Sequence, residues 1–567
     1  MAYGQACSIL KYFRDKIAEN PSFQYALQMD CEEQIANIFW ADAKMIMDYA
    51  HFGDVVSFDT TFGTNKENRP FGVFVGFNHF RETVVFGAAL MYDETFESFK
   101  WLFETFLKAH NGQQPKTCYT DQDATMRRVV AEVFAEAWHG LCTFHIMQNA
   151  IKHLHEDKDE EKKKGKKKQK KKTEKEMEKN ESISILSYFS ACMFEYEDMT
   201  EFEQKFDLMR QKVSKQTWLD SIYKLKEKWA ECYMKDVFTL GMRSTQLSES
   251  LNNDLKIHFK SDFDIIRFFK HFERVVQGKR NNELNSEFDS RKKLPKLGMR
   301  RPPPILLQAS KLYTPIIFEA FQGEYERSLA ACTKALDENN AYLVGHCIYE
   351  EEYKVVGDPL KQTVLCSCKQ FDRIGILRGH ALKVLDLMNI KSLPPQYVLK
   401  RWTREARAGN VQDNQGRNII ENLNIDAVLR FRYMSRKFLN LAHQAANFPE
   451  CTALVDSTLD ILGKQIGEKI NASTSTFEDL CVDSTNASPP NDLLINASLK
   501  KKDVQTKSSK RKRTWLDKKH KARKKRQNKA TSQFGEETKN DVAHAQEVVH
   551  KPKHKVEHEH KLASLKC

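Results

Sequence analysis

Short apolar runs and longer amphipathic ones alternate along the first third of the chain. Val55–Asp59, Phe71–Asn78 and Thr83–Met91 are brief, rich in β-branched and aromatic residues, and largely apolar, which predicts three buried strands. Turn-like Thr64–Pro70 and Asn78–Glu82 separate them. From Phe96 to His110 the spacing becomes helical, with Phe99, Leu102, Phe103, Phe106 and Leu107 on one face. A strand ending at Asp121, a helix through Met126–Ala137, a short strand over Gly140–Thr143 and a helix beginning near His145 follow. Ahead of this block, Ile9–Phe13 has helical spacing and Ser22–Leu27 alternates. The order from Val55 onward is three strands, helix, strand, helix, strand, helix, which defines an α/β core.

Beyond that core the pattern is mostly helical. Ile183–Lys235 carries Trp218, Leu219, Ile222, Tyr223, Leu225 and Trp229 at core-like spacing, and Thr245–Phe259 and Phe263–Val276 read as further helices. Pro302–Pro304 marks a boundary before a helical Ser310–Ala335. A compact segment with Cys and His spans Tyr342–Asn389, and helical pieces continue to about Ile470.

Composition adds direction. With 567 residues and 41% hydrophobic content, the chain is expected to form several domains with real cores. The formal charge of +13 is concentrated in Lys162–Lys179 and Lys500–Lys529, and basic runs of this kind favour polyanions, nucleic acid above all. No apolar run is long enough for a membrane span, and there is no apolar signal-peptide core. The 13 cysteines are scattered, as expected in a reducing compartment, where the sequons at Asn471, Asn486 and Asn496 carry no meaning.

Asp59 and Asp121 are the candidate chemistry. Each closes a short strand, and two carboxylates from neighbouring strands can hold divalent cations for phosphoryl transfer. The element order is that of the ribonuclease-H-like fold, in which the first acid lies on the first strand and the second beside it at the end of the fourth. A third acid is expected from a later helix, and Glu249 in Met242–Asn253 is the best candidate. Asp123 is read as the cap of the following helix.

Six stretches in order resemble the Mutator-like transposase core of the plant far-red-impaired-response and far-red-elongated-hypocotyl family: Phe52–Phe62, Asn68–Phe71, Ser98–Phe106, Thr120–Met126, His139–Ile146 and Ser244–Leu251. The resemblance spans about residues 10–410. It implies that Asp59, Asp121 and Glu249 are the family's DDE positions, holding magnesium if the enzyme is active. It also implies that the family's present role is transcription regulation and not cutting. Cys142-Thr-Phe-His145 matches the family's CxxH, which supplies two zinc ligands or serves packing. Val364–Val384 resembles a SWIM zinc finger, with Cys366, Cys368 and His380 as ligands and Arg378 where a fourth, cysteine, ligand belongs. Cys332 and Cys347 are the alternatives for that fourth position.

The expected organisation is therefore a lead-in over 1–50, the first part of the core over 51–155, a lysine-rich insertion over 156–182 and a helical insertion with the third-acid helix over 183–300. A helical linker over 301–345, a degenerate SWIM-type finger over 346–390, a helical region over 391–490 and a disordered basic tail over 491–567 complete it. Lys510, Arg511, Lys512 and Arg513, with Lys524, Lys525 and Arg526, resemble a bipartite nuclear import signal. Relatives carry a further zinc-binding DNA-recognition module ahead of the core. The first fifty residues here hold no paired Cys/His cluster, so sequence-specific DNA binding is expected to be weaker. The function implied is a nuclear regulator that contacts DNA, alone or in a homo- or hetero-oligomer with family members, and no membrane partner. The rivals are an active transposase and an interaction subunit that never touches DNA.

Overall fold

The computed structural model describes residues 5–155 and 185–419, with breaks at 214–215, 293, 337–339 and 347–351, and between 243 and 260 only 251, 254, 255 and 259. It also describes scattered positions between 434 and 446, then 448–474 and 498–500. Residues 1–501 form one compact unit; the second, 502–567, lies outside the described residues.

The first unit is organised by one mixed sheet. Its strands are β1 (Gln24–Met29), β2 (Gln34–Ala41), β3 (Val55–Thr61), β4 (Phe71–Phe77), β5 (Thr83–Leu90), β6 (Thr117–Thr120) and β7 (Trp138–Leu141). Their spatial order is β1-β2-β5-β4-β3-β6-β7. β3, β4 and β5 form an antiparallel meander, whereas β6 runs parallel to β3 and β7 parallel to β6. Every residue of β3, β4 and β6 is buried, as expected for central strands covered on both faces.

Two layers of aromatic residues cover the faces. The helices involved are α1 (Gln5–Glu19), α2 (Ala43–Phe52), α3 (Phe96–Ala109) and the long helix Ile265–Lys292. On one face, Phe58 and Phe74 pack on Phe103 of α3, and Tyr49 of α2 packs edge-on to Phe86 and Phe106. On the other, Trp40 and Phe71 meet Phe268 and Phe272 of the long helix. Phe269 of that helix takes Trp40 edge-on and stacks on Tyr12 of α1. Burying each of these rings contributes about 2 kcal/mol. The alternation of Phe39 and Trp40 between the layers is the period-two signature of a strand. α3 begins at the Thr95 cap. The next helix, α4 (Ala124–Val133), begins at Asp123, whose carboxylate accepts from the Thr125 and Met126 amides.

A second sheet, antiparallel, has the order β11-β10-β9-β8, with β8 (Ala331–Ala335), β9 (Ala341–His346), β10 (Tyr353–Asp358) and β11 (Thr363–Cys366). Its apolar face shares a core with the helices Pro304–Leu312, Pro315–Ala330 and Gly379–Leu387, and with Val55, Phe77 and Tyr119 of the central sheet. The helical insertion has its own core, in which Leu219, Ile222 and Trp229 are buried and Trp218, Tyr223 and Leu225 partly so.

Three expectations need correction. Residues 1–50 are not merely a lead-in, because β1 and β2 extend the central sheet beyond β5. Ala331–Ala335 is strand, not the end of a helix, because it pairs along its whole length with β9 and local alanine propensity yields to that pairing. The stretch 491–567 is not uniformly free of structure, since β12 (Ser498–Leu499) pairs in parallel with β2 at Gln34 and Ile35 and buries Leu499.

Candidate functional site

β3 and β6 bring the two acids together. Ser57 pairs with Tyr119 in parallel register, the last pair joining the two strands, so Asp59 and Asp121 each lie two residues beyond it on adjacent paths. By alternation, Asp59 points to the side of the sheet opposite to Phe58, which packs on α3. Asp59 is 4% exposed and accepts from the Thr60 amide at 2.9 Å. Asp121, just past β6 and half-buried, accepts from the Asp123 amide at 3.3 Å.

Glu249 lies outside the described residues, as do the lysine-rich insertion Lys162–Lys179 and the whole import signal, Lys510, Arg511, Lys512, Arg513, Lys524, Lys525 and Arg526. The chain on either side of Glu249 is placed. The Tyr119 hydroxyl donates to the Met242 carbonyl at 2.7 Å, and Thr117 donates to the Phe238 carbonyl at 2.7 Å, so the end of the helical insertion crosses β6. Leu251 and Leu255 are buried in the main core. Tyr119 owes its position to Gly140 on β7, where a Cβ would stand 2.4 Å from the ring.

Cys142 is buried directly after β7, and His145 lies in the first turn of α5 (Thr143–His155). No third His, Cys, Asp or Glu joins them in a metal-binding group among the described residues. The one such group among those residues is Cys366, Cys368 and His380, whose donor atoms all lie within 4.8 Å of one another. Cys366 ends β11, Lys369 adopts a left-handed turn at φ 54°, and the helix Gly379–Leu387 carries His380 back over the two sulfurs. The sulfurs are 3.1 Å apart, and the Cys366 sulfur is 3.9 Å from His380 Nδ1. Cys368 is held well below the ordinary thiol value, chiefly by the Cys366 thiol donating to it and also by His380 and the Gln370 amide; Cys366 is pushed up in return.

These three donors suit zinc: two sulfurs and one imidazole nitrogen, buried and convergent. The fourth position does not. Arg378 stands at the N-cap of the helix, and its guanidinium lies over the Tyr353 ring at 5.3 Å and reaches to 4.0 Å from Glu197 of the insertion. Tyr353 also stacks on His380 at 4.5 Å, an aromatic support that no spacing rule in the sequence announces. Cys332 is disulfide-bonded and so is not the missing ligand; Cys347 lies outside the described residues. Nine described cysteines are free thiols, and Cys332 is in a disulfide.

Residues 55–149, which include both aspartates, match the MULE transposase domain. The chain therefore carries a stretch of the MULE transposase class. More particularly, it is similar over most of its length to the FAR1-related and far-red-impaired-response proteins of Arabidopsis thaliana. It is 32% identical over 448 residues to Protein FAR1-RELATED SEQUENCE 5, covering 78% of this chain and 54% of the relative. Protein FAR-RED IMPAIRED RESPONSE 1 is 31% identical over 412 residues, with 72% and 47% covered. Protein FAR1-RELATED SEQUENCE 9 is 28% identical over 477 residues, with 82% of each covered. The matched stretch thus spans about half the length of the first two relatives.

Proposed function

We propose that this chain is a transposase-derived nuclear protein that binds DNA and regulates transcription, acting in far-red light signalling. The observation that carries the reading is the placement of Asp59 and Asp121, each two residues beyond the last paired position of β3 and β6, inside the stretch that matches the MULE transposase domain, in a chain similar to Protein FAR-RED IMPAIRED RESPONSE 1. The order β5-β4-β3-β6-β7, with an antiparallel meander followed by two parallel strands, supports a ribonuclease-H-like core. In that core Asp59, Asp121 and Glu249 are the inherited DDE acids, retained in a fold whose use is holding DNA and not cutting it.

Cys366, Cys368 and His380 would hold zinc in a SWIM-type finger, weakened by the cation at Arg378, and Cys142 with His145 would contribute packing more than metal binding. Closed around zinc, the finger would tie β11 to the helix Gly379–Leu387. The import signal would carry the chain to the nucleus, where it would act with family members as an oligomer.

A second reading, an active transposase, is favoured by one observation: both acids are present, each two residues beyond the last pair that joins β3 and β6. In it Asp59, Asp121 and Glu249 would hold magnesium and position a phosphodiester for strand cleavage. A genome-wide chromatin-occupancy map of wild type and Asp59→Asn, with a nicking assay on the purified chains, separates the readings. Equal occupancy and equal reporter output support the regulator. Magnesium-dependent nicking by wild type that the variant lacks supports the enzyme. No occupancy and no duplex binding at low salt leave an interaction subunit that does not contact DNA.

A further inference from the structure

A chain of hydrogen bonds leads from the Asp121 backbone to an ammonium group. Thr120 Oγ1 donates to the Asp121 carbonyl at 3.0 Å and lies 2.8 Å from His139 Nε2. With the threonine proton committed, Nε2–H donates to Oγ1, which leaves Nδ1 as an acceptor. Lys228 Nζ, from the helical insertion, stands 3.3 Å from that nitrogen. His139 is 6% exposed, and burial, with Lys228 and Arg127 nearby, pushes it down to about 3, so the ring is neutral.

Lys228 uses one of its three donors in this chain. Neither it nor Arg127 of α4 forms an ion pair or a side-chain hydrogen bond with a carboxylate among the described residues, and the adjacent Glu227 gives only a distant attraction. Arg127 repels Lys228 and His139 alike. Two half-buried cations beside a neutral histidine, with spare donors and no paired carboxylate among the described residues, form an arrangement that an anion would stabilise.

We propose that Lys228 and Arg127, with His139 positioning the Lys228 ammonium, form a seat for one phosphate group of a nucleic-acid backbone, beside the Asp59–Asp121 pair. The proposal rests on the DNA-holding reading and gives it a contact point. Arg127 supplies a planar fork, Lys228 a compact charge, and Thr120 with His139 fixes the ammonium in place. The phosphate lies to the side of the acids, where like charge keeps it from the carboxylates in the absence of metal.

The test uses the full chain with Lys228→Gln, Arg127→Gln and the control Lys108→Gln, an exposed lysine on α3. Binding to a labelled random-sequence duplex of about 30 base pairs is followed by anisotropy from about 50 to 300 mM salt, and melting is followed with inorganic pyrophosphate at constant ionic strength. The seat predicts roughly 3- to 10-fold weaker duplex binding for either seat variant, a salt slope lower by about 0.9, and no change for the control. It also predicts that pyrophosphate raises the wild-type melting temperature and does so less in both variants. Unchanged slopes and unchanged pyrophosphate response overturn the seat while leaving DNA binding intact. A wild type that responds to pyrophosphate but binds no duplex keeps the seat as an anion site and overturns the DNA-holding reading. Should Lys228→Gln fail to fold, Arg127→Gln decides by the same two measurements.

Discussion

Asp59 and Asp121 each lie two residues beyond the Ser57–Tyr119 pair, the last that joins β3 and β6 in parallel register. Like charges at such positions destabilise a sheet by about 0.2–1 kcal/mol unless a cation lies between them. Asp59→Asn is therefore expected to raise the melting temperature by about 1–2 °C in chelator and to abolish any rise that millimolar magnesium gives the wild type. Differential scanning calorimetry with and without magnesium reads both effects. A variant that still gains as much from magnesium as the wild type would show that the aspartate pair is not where the ion binds.

Arg378→Cys should restore a fourth donor to Cys366, Cys368 and His380. The expected result is roughly 10-fold tighter zinc retention, or better, in competition with a chromogenic chelator, with Tyr353 still stacked on His380. Arg378→Lys keeps the charge and should retain zinc no better than the wild type.

Arg407 joins the segment after residue 400 to the core. It bonds Asp48 at 2.6 Å and also pairs with Glu283, while Lys44 lies 3.1 Å from Asp48 and 3.3 Å from Glu283. Arg407→Met leaves two buried carboxylates facing one lysine and should cost about 3 kcal/mol in urea unfolding. Glu283 is held down to about 2, against its burial, by Lys44 and Arg407. Its folded value is depressed, so its contribution is present above its ordinary value near pH 4.5 and is lost as pH falls toward 2. The variant should lose part of that acid dependence.

His110 carries a proton linkage of the same sign but from a different cause, and at higher pH. Burial pushes it down to about 3, and its ring lies between Tyr49 and Phe106 with Nε2 3.0 Å from the Phe86 carbonyl. The unfolded chain takes up a proton near pH 6.5 that the folded chain refuses, so stability should fall from pH 6.5 toward 3 by up to about 1.4 kcal/mol per pH unit. His110→Leu should remove one proton from that slope and cost roughly 1 kcal/mol at pH 7 through the orphaned carbonyl. Unfolding free energies at about pH 7, 6 and 5 measure both.

The central strands were legible because they are short and largely apolar; β3, read as closing at Asp59, in fact runs on through Thr61, since its pairing with β4 continues past the acid. β1 and β2 were harder: Gln24, Gln28 and Gln34 dilute the pattern, and a strand that carries glutamines at its edge resembles a loop. Ala331–Ala335 could not be told from helix without its partner strand. The grouping of Cys366, Cys368 and His380 followed from the likeness of Val364–Val384 to a known motif. The support of His380 by Tyr353 and the reach of Arg378 to Glu197 depend instead on residues far away along the chain. No local rule spans such separations.

Ser498 and Leu499 add a short strand beside β2 to a sheet whose other strands all lie before residue 142. Arg69 fastens this junction, donating to the carbonyls of Ile35 and Lys500. A fragment trimmed to residues 55–149, the span that matches the transposase domain, would omit β1, β2 and β12 together and leave β5 as a bare hydrogen-bonding edge. The unit that can be expressed, crystallised or inherited is therefore set by sheet closure across the whole described chain, and not by the stretch in which family likeness is concentrated.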